Sequence, residues 1–125
     1  MRSPDGKIEV LKTRDLVDPA KCAWAGCIEI PGNSFRLAGR VFAEPMVFSS
    51  DSRFLAATEH FADASHYDGS SRVVVFDFIR GREIIVCTEM QGSIQSLRWT
   101  DVASLSIAAH SHLHGAREHV WRAAA

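Results

Sequence analysis

Phe48-Ser-Ser-Asp-Ser-Arg-Phe-Leu-Ala-Ala57 is the stretch that decides the fold, because a version of it recurs at Trp99–Ala109. In each copy an aromatic residue closes one strand, a short polar turn follows, and small and apolar residues open the next strand. The copies begin about 50 residues apart, a spacing typical of structural repeats. Between them lie the apolar segments Arg72–Ile79 and Glu83–Thr88, separated by a turn at Arg80-Gly81. The sequence therefore predicts a succession of antiparallel strands joined by short turns.

This order of strands and turns, over residues 46–122, resembles the blades of WD40-like β-propellers, whose repeats run about 40–50 residues. The chain holds only about two such units, whereas a closed ring needs roughly four or more blades. The resemblance thus implies a mainly β fold made of one or more open antiparallel sheets of blade-like hairpins. We expect a single β domain over residues 1–125, with at most a short helical turn near the N-terminus.

The N-terminal third gives weaker signals. Lys7–Leu11 alternates loosely and predicts an edge strand, whereas Asp18-Pro19 is typical of a helix start and favours a short helical turn up to Ala25. The alternative is that Cys22–Ile30 is all strand. A turn at residues 31–34 then predicts a hairpin whose second strand, Phe35–Phe42, is ended by Glu44-Pro45.

Two later segments are apolar on both faces and predict central, doubly covered strands. Val73–Ile79 is interrupted only by Asp77, and Ile84–Cys87 follows it. Asp77 precedes a turn and is interpreted as a structural aspartate that bonds neighbouring backbone or side chains, the alternative being a catalytic acid. Trp99 and Trp121 occupy positions where blade-like repeats place core aromatic residues, and we expect both to pack in the core.

The composition excludes several functional classes. The formal net charge is −1, so no bulk field draws the chain to nucleic acid or to an anionic membrane. No apolar run is long enough to span a bilayer, and the polar start Met1–Gly6 lacks a secretory segment. The predicted location is therefore the cytoplasm. Three cysteines, Cys22, Cys27 and Cys87, are too few and too unevenly spaced for a disulfide framework.

Catalytic signatures are weak. The sequence contains no nucleophile elbow and no phosphate-binding loop, so we expect no enzymatic activity and no cofactor. The one arrangement that favours a metal is His110, His112 and His114, which share one face if the segment is an extended strand. No fourth ligand accompanies them in the sequence, and we expect the purified chain to carry far less than one equivalent of zinc, iron or copper.

The longest polar connection, residues 59–71, is the predicted partner-binding element. Long connections inside compact domains are often functional. The candidate binding residues are Glu59, Asp63, His66, Tyr67 and Asp68.

In size, composition and lack of chemistry the chain resembles the immunity proteins of bacterial toxin–immunity pairs. That resemblance implies a protein partner, a cognate toxin domain whose active site is blocked. The alternatives are a small metal-dependent enzyme that uses the C-terminal histidines, and a propeller-like subunit completed by oligomerisation.

Overall fold

The computed structural model describes residues 1–15, 24–61 and 70–124. Within these ranges the chain forms nine β-strands and no helix. The strands are β1 Leu11–Asp15, β2 Ala25–Glu29, β3 Val41–Phe48, β4 Phe54–Phe61, β5 Ser70–Asp77, β6 Arg82–Glu89, β7 Gly92–Asp101, β8 Ser104–Ser111 and β9 Gly115–Arg122. None of the described segments is a helix that could cross a membrane.

The strands make two open antiparallel sheets in which each strand pairs with its neighbour in sequence. Strands β1 to β6 form the first sheet and β7 to β9 the second. The mainly β, antiparallel, open-sheet prediction is confirmed. The two repeated stretches are both hairpin turns, β3–β4 and β7–β8, and they lie in different sheets.

The six-stranded sheet has an apolar layer on each face. One face carries Phe42, Leu55 and Phe76 and is covered by residues from the N-terminal segment and the segment between β2 and β3. The other face packs against the three-stranded sheet, with Phe54 and Val75 opposite residues such as Ile107. Because β4 and β5 lie between both layers, their side chains alternate between two apolar environments, which explains their continuous hydrophobic runs.

The prediction of a central strand is confirmed for β5 and wrong for β6. Val73, Val74, Val75 and Phe76 are fully buried. By contrast, β6 is the edge strand of the first sheet, and Ile85 is 52% exposed. The apolar run Ile84–Cys87 predicts a strand that is buried on both faces. The chain leaves this sheet after β6, however, and nothing in the described part of the chain covers the Ile85 side.

Several boundaries in the N-terminal third differ from expectation. The first strand begins at Leu11, and Glu9 makes only an isolated bridge to Arg2. Residues 33–40 form no strand; instead Phe35 and Leu37 pack on the core as part of an irregular cover. The predicted helical turn at 18–25 falls mostly outside the described residues, although Ala25 already belongs to β2.

Pro45 does not end a strand but lies inside β3. The pairing with β4 shifts between Ala43 and Met46, so a bulge accommodates the missing proline N–H. The Thr58 hydroxyl donates a hydrogen bond of 3.0 Å to the Pro45 carbonyl. The chain therefore continues in the same strand up to Phe48, where the repeated turn begins.

Candidate functional site

Three connections meet at one end of the two packed sheets, which we call the loop end. The first connection joins β4, which ends at Phe61, to β5, which begins at Ser70. The other two are the β6–β7 turn, Met90-Gln91, and the β8–β9 turn, His112–His114. Backbone and side-chain hydrogen bonds join them. The Gln91 N–H donates to the Ser70 hydroxyl at 3.0 Å, and the His112 N–H donates to the Gln91 carbonyl at 3.0 Å.

Four of the five predicted binding residues belong to the connection that joins β4 to β5. Asp63, His66, Tyr67 and Asp68 fall within residues 62–69, outside the described part of the chain. The residues that flank this connection are at the loop end, so the prediction that it binds a partner concerns this end of the molecule. It stays a prediction.

Glu59 does not lie in the connection, and the expectation that it does is wrong. It is a residue of β4, its side chain is 3% exposed, and its carboxylate accepts three hydrogen bonds of 2.9 Å from Arg40 and Arg72. Arg40 also pairs with Glu83 at 2.8 Å. Burial alone would raise the pKa of Glu59, but the two guanidinium groups outweigh it and hold that pKa below its ordinary value. Glu59 is thus part of an internal ion-pair network.

The histidine triplet is only partly strand. His110 is in β8, but the strand ends at Ser111, and His112 and His114 belong to the turn that precedes Gly115. The period-two argument for a common face therefore fails after His110. All three rings are exposed at or beside the loop end. The turn is fixed by the His114 N–H, which donates to the buried Ser111 hydroxyl at 2.9 Å.

Two large apolar side chains stand in solvent at the loop end, and the sequence reasoning missed them. Leu113 is 80% exposed and Met90 is 51% exposed. Both occupy turns that adjoin each other through the hydrogen bond between His112 and Gln91. Each lies two residues before a glycine that follows a turn, Gly92 or Gly115, and a large apolar residue at such a position is the sequence signal that could have identified it. Contiguous exposed apolar patches mark protein-binding surfaces, so two such side chains on adjoining turns make this end a candidate for one.

A second group of chemically active side chains connects the two sheets. The donor atoms of Cys87, Glu89 and His119 all lie within 4.8 Å of one another. The His119 Nε2 and a Glu89 carboxylate oxygen are 3.0 Å apart, and Arg117 approaches the other oxygen at 3.7 Å. Burial, with a contribution from Glu89, raises the pKa of the Cys87 thiol to about 11. The sequence could not reveal this group because His119 is far from the other two along the chain.

Asp77 has the structural role that the sequence predicted. It is 1% exposed, accepts hydrogen bonds from the N–H groups of Ile79 and Arg80, and pairs with Arg53 at 3.2 Å. Burial opposes ionisation, but the bonds from Arg53 and the two N–H groups lower the pKa of Asp77 below its ordinary value. Its carboxylate fixes the β5–β6 turn at the end opposite the loop end.

Both predicted core tryptophans pack against the buried cluster between the sheets. Trp99 stacks on Phe54 with ring centroids 5.6 Å apart, and Trp121 meets both rings edge-on. The Trp99 indole N–H donates to the Val47 carbonyl at 3.0 Å and so links the second sheet to the first. Both rings are partly buried, and the expectation that they belong to the core is confirmed.

Two cavities lie elsewhere. One of about 190 Å³ is lined by Arg53, Arg82, Arg122 and Trp121 next to Asp77. The other, about 790 Å³, is a broad groove between β2 and the 30–40 segment. The lining of the groove includes Thr13, Cys27 and Glu29.

Comparison with known proteins gives no further guide. No protein-family model matches the chain, and no match was found among curated proteins or among solved structures.

Proposed function

We propose that this protein is a non-enzymatic binding module whose loop end engages a partner protein. We further propose that the partner is the toxin domain of a bacterial toxin–immunity pair. The observation that carries the proposal is the exposure of Leu113 and Met90 on two joined turns, one of which is bonded to Ser70, where β5 begins. The residues between β4 and β5 in the sequence include Asp63, Tyr67 and Asp68.

The turns of the loop end are held in place before any partner binds. Hydrogen bonds from Gln91 to Ser70, from His112 to Gln91 and from His114 to Ser111 attach each described turn to a strand or to another turn. A pre-ordered surface loses little conformational entropy on association, so more of its contact energy becomes affinity. Leu113 and Met90 supply apolar area, and tyrosine, the residue type of Tyr67, is one of those that most often anchor an interface.

The charges of the connection favour a basic partner. Residues 62–69 carry Asp63 and Asp68 and no lysine or arginine. Toxins that cleave nucleic acids bind the phosphate backbone through basic clefts, and acidic side chains are the natural complement of such a cleft. In this mechanism the loop end enters the cleft, the carboxylates pair with the basic residues, and substrate is excluded by occlusion.

The first experiment is affinity capture from the source cells with three forms of the chain in parallel. The forms are the wild type, the triple variant Asp63→Lys/Tyr67→Ala/Asp68→Lys, and Leu113→Asp. The matched control is Val120→Asp, which places the same charge at a 66% exposed apolar position on the outer face of the three-stranded sheet. Circular dichroism checks that every variant is folded.

Calorimetry with the captured partner then measures affinity. We expect each loop-end substitution to weaken binding by about 1–4 kcal/mol and Val120→Asp to leave it unchanged. Expression of the partner alone should arrest growth, and co-expression of this chain should restore it. If affinity is lost in Val120→Asp and kept in the loop-end variants, the interface lies on the sheet face. A partner that is harmless to cells contradicts the toxin assignment.

A further inference from the structure

Cys87, Glu89 and His119 bring three different metal-binding donors to one point between the sheets. Cys87 and Glu89 are two residues apart in β6 and therefore share the face directed at the second sheet. His119 is in β9, where its pairing partner Ile107 is a core residue of the same interface. The thiolate, imidazole and carboxylate groups are the ligands that zinc takes in proteins.

The distances suit a single small ion. Zinc binds sulfur at about 2.3 Å and nitrogen or oxygen at about 2.0–2.2 Å, so donors around it are roughly 3–4 Å apart. The three donor atoms here lie within 4.8 Å of one another, and the closest pair is 3.0 Å apart. Movements on the order of 1 Å, within the reach of side-chain rotations, would complete the geometry.

Ion pairing accounts for the positions of Glu89 and His119 in this group but not for that of Cys87. Glu89 is 1% exposed and is balanced by His119 and Arg117. The Cys87 sulfur, by contrast, has no hydrogen-bond partner among the described residues and faces a carboxylate. A neutral thiol is only a weak hydrogen-bond donor to a carboxylate, whereas a divalent cation would pair with both the thiolate and the carboxylate.

In place of the sequence-based expectation of no bound metal, we propose that Cys87, Glu89 and His119 bind one zinc ion, with a water molecule as the fourth ligand. On binding, the Cys87 thiol releases its proton to solvent, and His119 coordinates as neutral imidazole. His119 is partly exposed, which leaves a path for the ion and a position for the water. The ion ties β6 to β9, the edge strands of the two sheets, next to the Met90-Gln91 turn.

Cobalt is the probe, because a thiolate bound to Co²⁺ gives a charge-transfer absorption in the near ultraviolet that histidines and carboxylates alone do not give. We titrate Co²⁺ into the metal-free full-length chain and then displace it with Zn²⁺. Cys22→Ser/Cys27→Ser retains Cys87 as the sole cysteine. We expect that variant to show the band at one equivalent, and Cys87→Ser to lose it.

Two further variants separate this site from ordinary surface histidines. His112→Ala, in the exposed turn, should leave the cobalt spectrum unchanged, whereas His119→Gln should abolish or shift it. Arg117→Ala removes a cation that competes for Glu89 and should tighten binding by roughly two- to fivefold. Zn²⁺ should also raise the Tm of the wild type and not that of Cys87→Ser.

The proposal is overturned if the sole-cysteine variant gives no thiolate band, or if the band survives Cys87→Ser. Loss of the band in His112→Ala with retention in His119→Gln would instead assign the metal to the exposed turn. If Cys87→Ser does not fold, the sole-cysteine variant and the pair His119→Gln and His112→Ala decide the question by themselves.

Discussion

Replacing Glu59 by glutamine tests whether this residue holds the fold together, as its burial indicates, or binds a partner. The change keeps the size of the side chain and removes its charge. The carboxylate accepts three hydrogen bonds of 2.9 Å, two from Arg40 and one from Arg72. The amide oxygen of glutamine can still accept, but the NH2 group that replaces the second oxygen cannot. Arg72 in β5 and Arg40, just before β3, then face a neutral amide where a carboxylate stood, and that amide cannot satisfy all of their donors.

The expected cost follows from the surroundings of these groups. Removing one partner of a buried ion pair costs about 3–5 kcal/mol. Here the carboxylate is 3% exposed, but the side chains of Arg40 and Arg72 are 18% and 27% exposed and regain some hydration. Arg40 also retains Glu83 at 2.8 Å. We therefore expect Glu59→Gln to lower the free energy of unfolding by about 3 kcal/mol, at the lower end of that range.

Urea denaturation followed by tryptophan fluorescence measures this cost. The matched control is Glu83→Gln, which disrupts a bond to the same Arg40 from a side chain that is 30% exposed. That control should cost less than about 1 kcal/mol, as is usual for solvated pairs. A Glu59→Gln variant within about 0.5 kcal/mol of the wild type, or a Glu83→Gln variant that is equally destabilised, would refute the argument.

Two further predictions concern stability. Val75→Asp should unfold the protein, because position 75 is fully buried in β5 and an unpaired carboxylate there costs several kcal/mol. Ile85→Asp, on the exposed side of edge strand β6, should remain folded. Thermal melts monitored by circular dichroism compare the two variants, and an equal loss of Tm would contradict the assignment of β6 as an edge strand. The acid limb of stability should depend on Glu59 and Asp77, whose folded-state pKa values are lowered below their ordinary 4.5 and 3.8. Because the unfolded state binds these protons more tightly, the two carboxylates contribute their full stabilisation above about pH 4.5 and lose it as the pH falls through their folded-state pKa values. The urea midpoint should therefore fall less steeply between pH 6 and pH 2 in Asp77→Asn than in the wild type. An identical slope would show that Asp77 does not contribute.

The second half of the fold could be predicted from the sequence because its signals are local. The turns at residues 49–52, 80–81 and 91–92 contain glycine, serine and aspartate between alternating or continuous apolar runs, and strands occur on both sides of each. The turn role of Asp77 was predictable for the same reason, since its hydrogen bonds reach only two and three residues ahead.

What the sequence missed depends on contacts between distant parts of the chain. Ile85 follows an apolar pattern but lies uncovered, because the polypeptide passes to a second sheet after Glu89 and does not continue the first. Glu59 looks like the first residue of a polar loop, yet Arg40 and Arg72 on neighbouring segments make it an interior residue. Burial of a charged side chain is decided by its partners, and those partners have no fixed spacing in sequence.

The two candidate sites differ in how far the sequence could predict them, because one is built from neighbouring residues and the other from distant strands. The loop end was partly predictable, because its predicted residues are polar, turn-rich and close together in sequence. The turns that carry Met90 and Leu113 are brought together only by the pairing of Gly92 with Ser111. The group of Cys87, Glu89 and His119 is formed by two edge strands from different sheets, and no spacing rule relates them. Such a group exists only when both sheets are folded and packed. Metal binding at this point and cooperative packing of the two sheets should therefore rise and fall together.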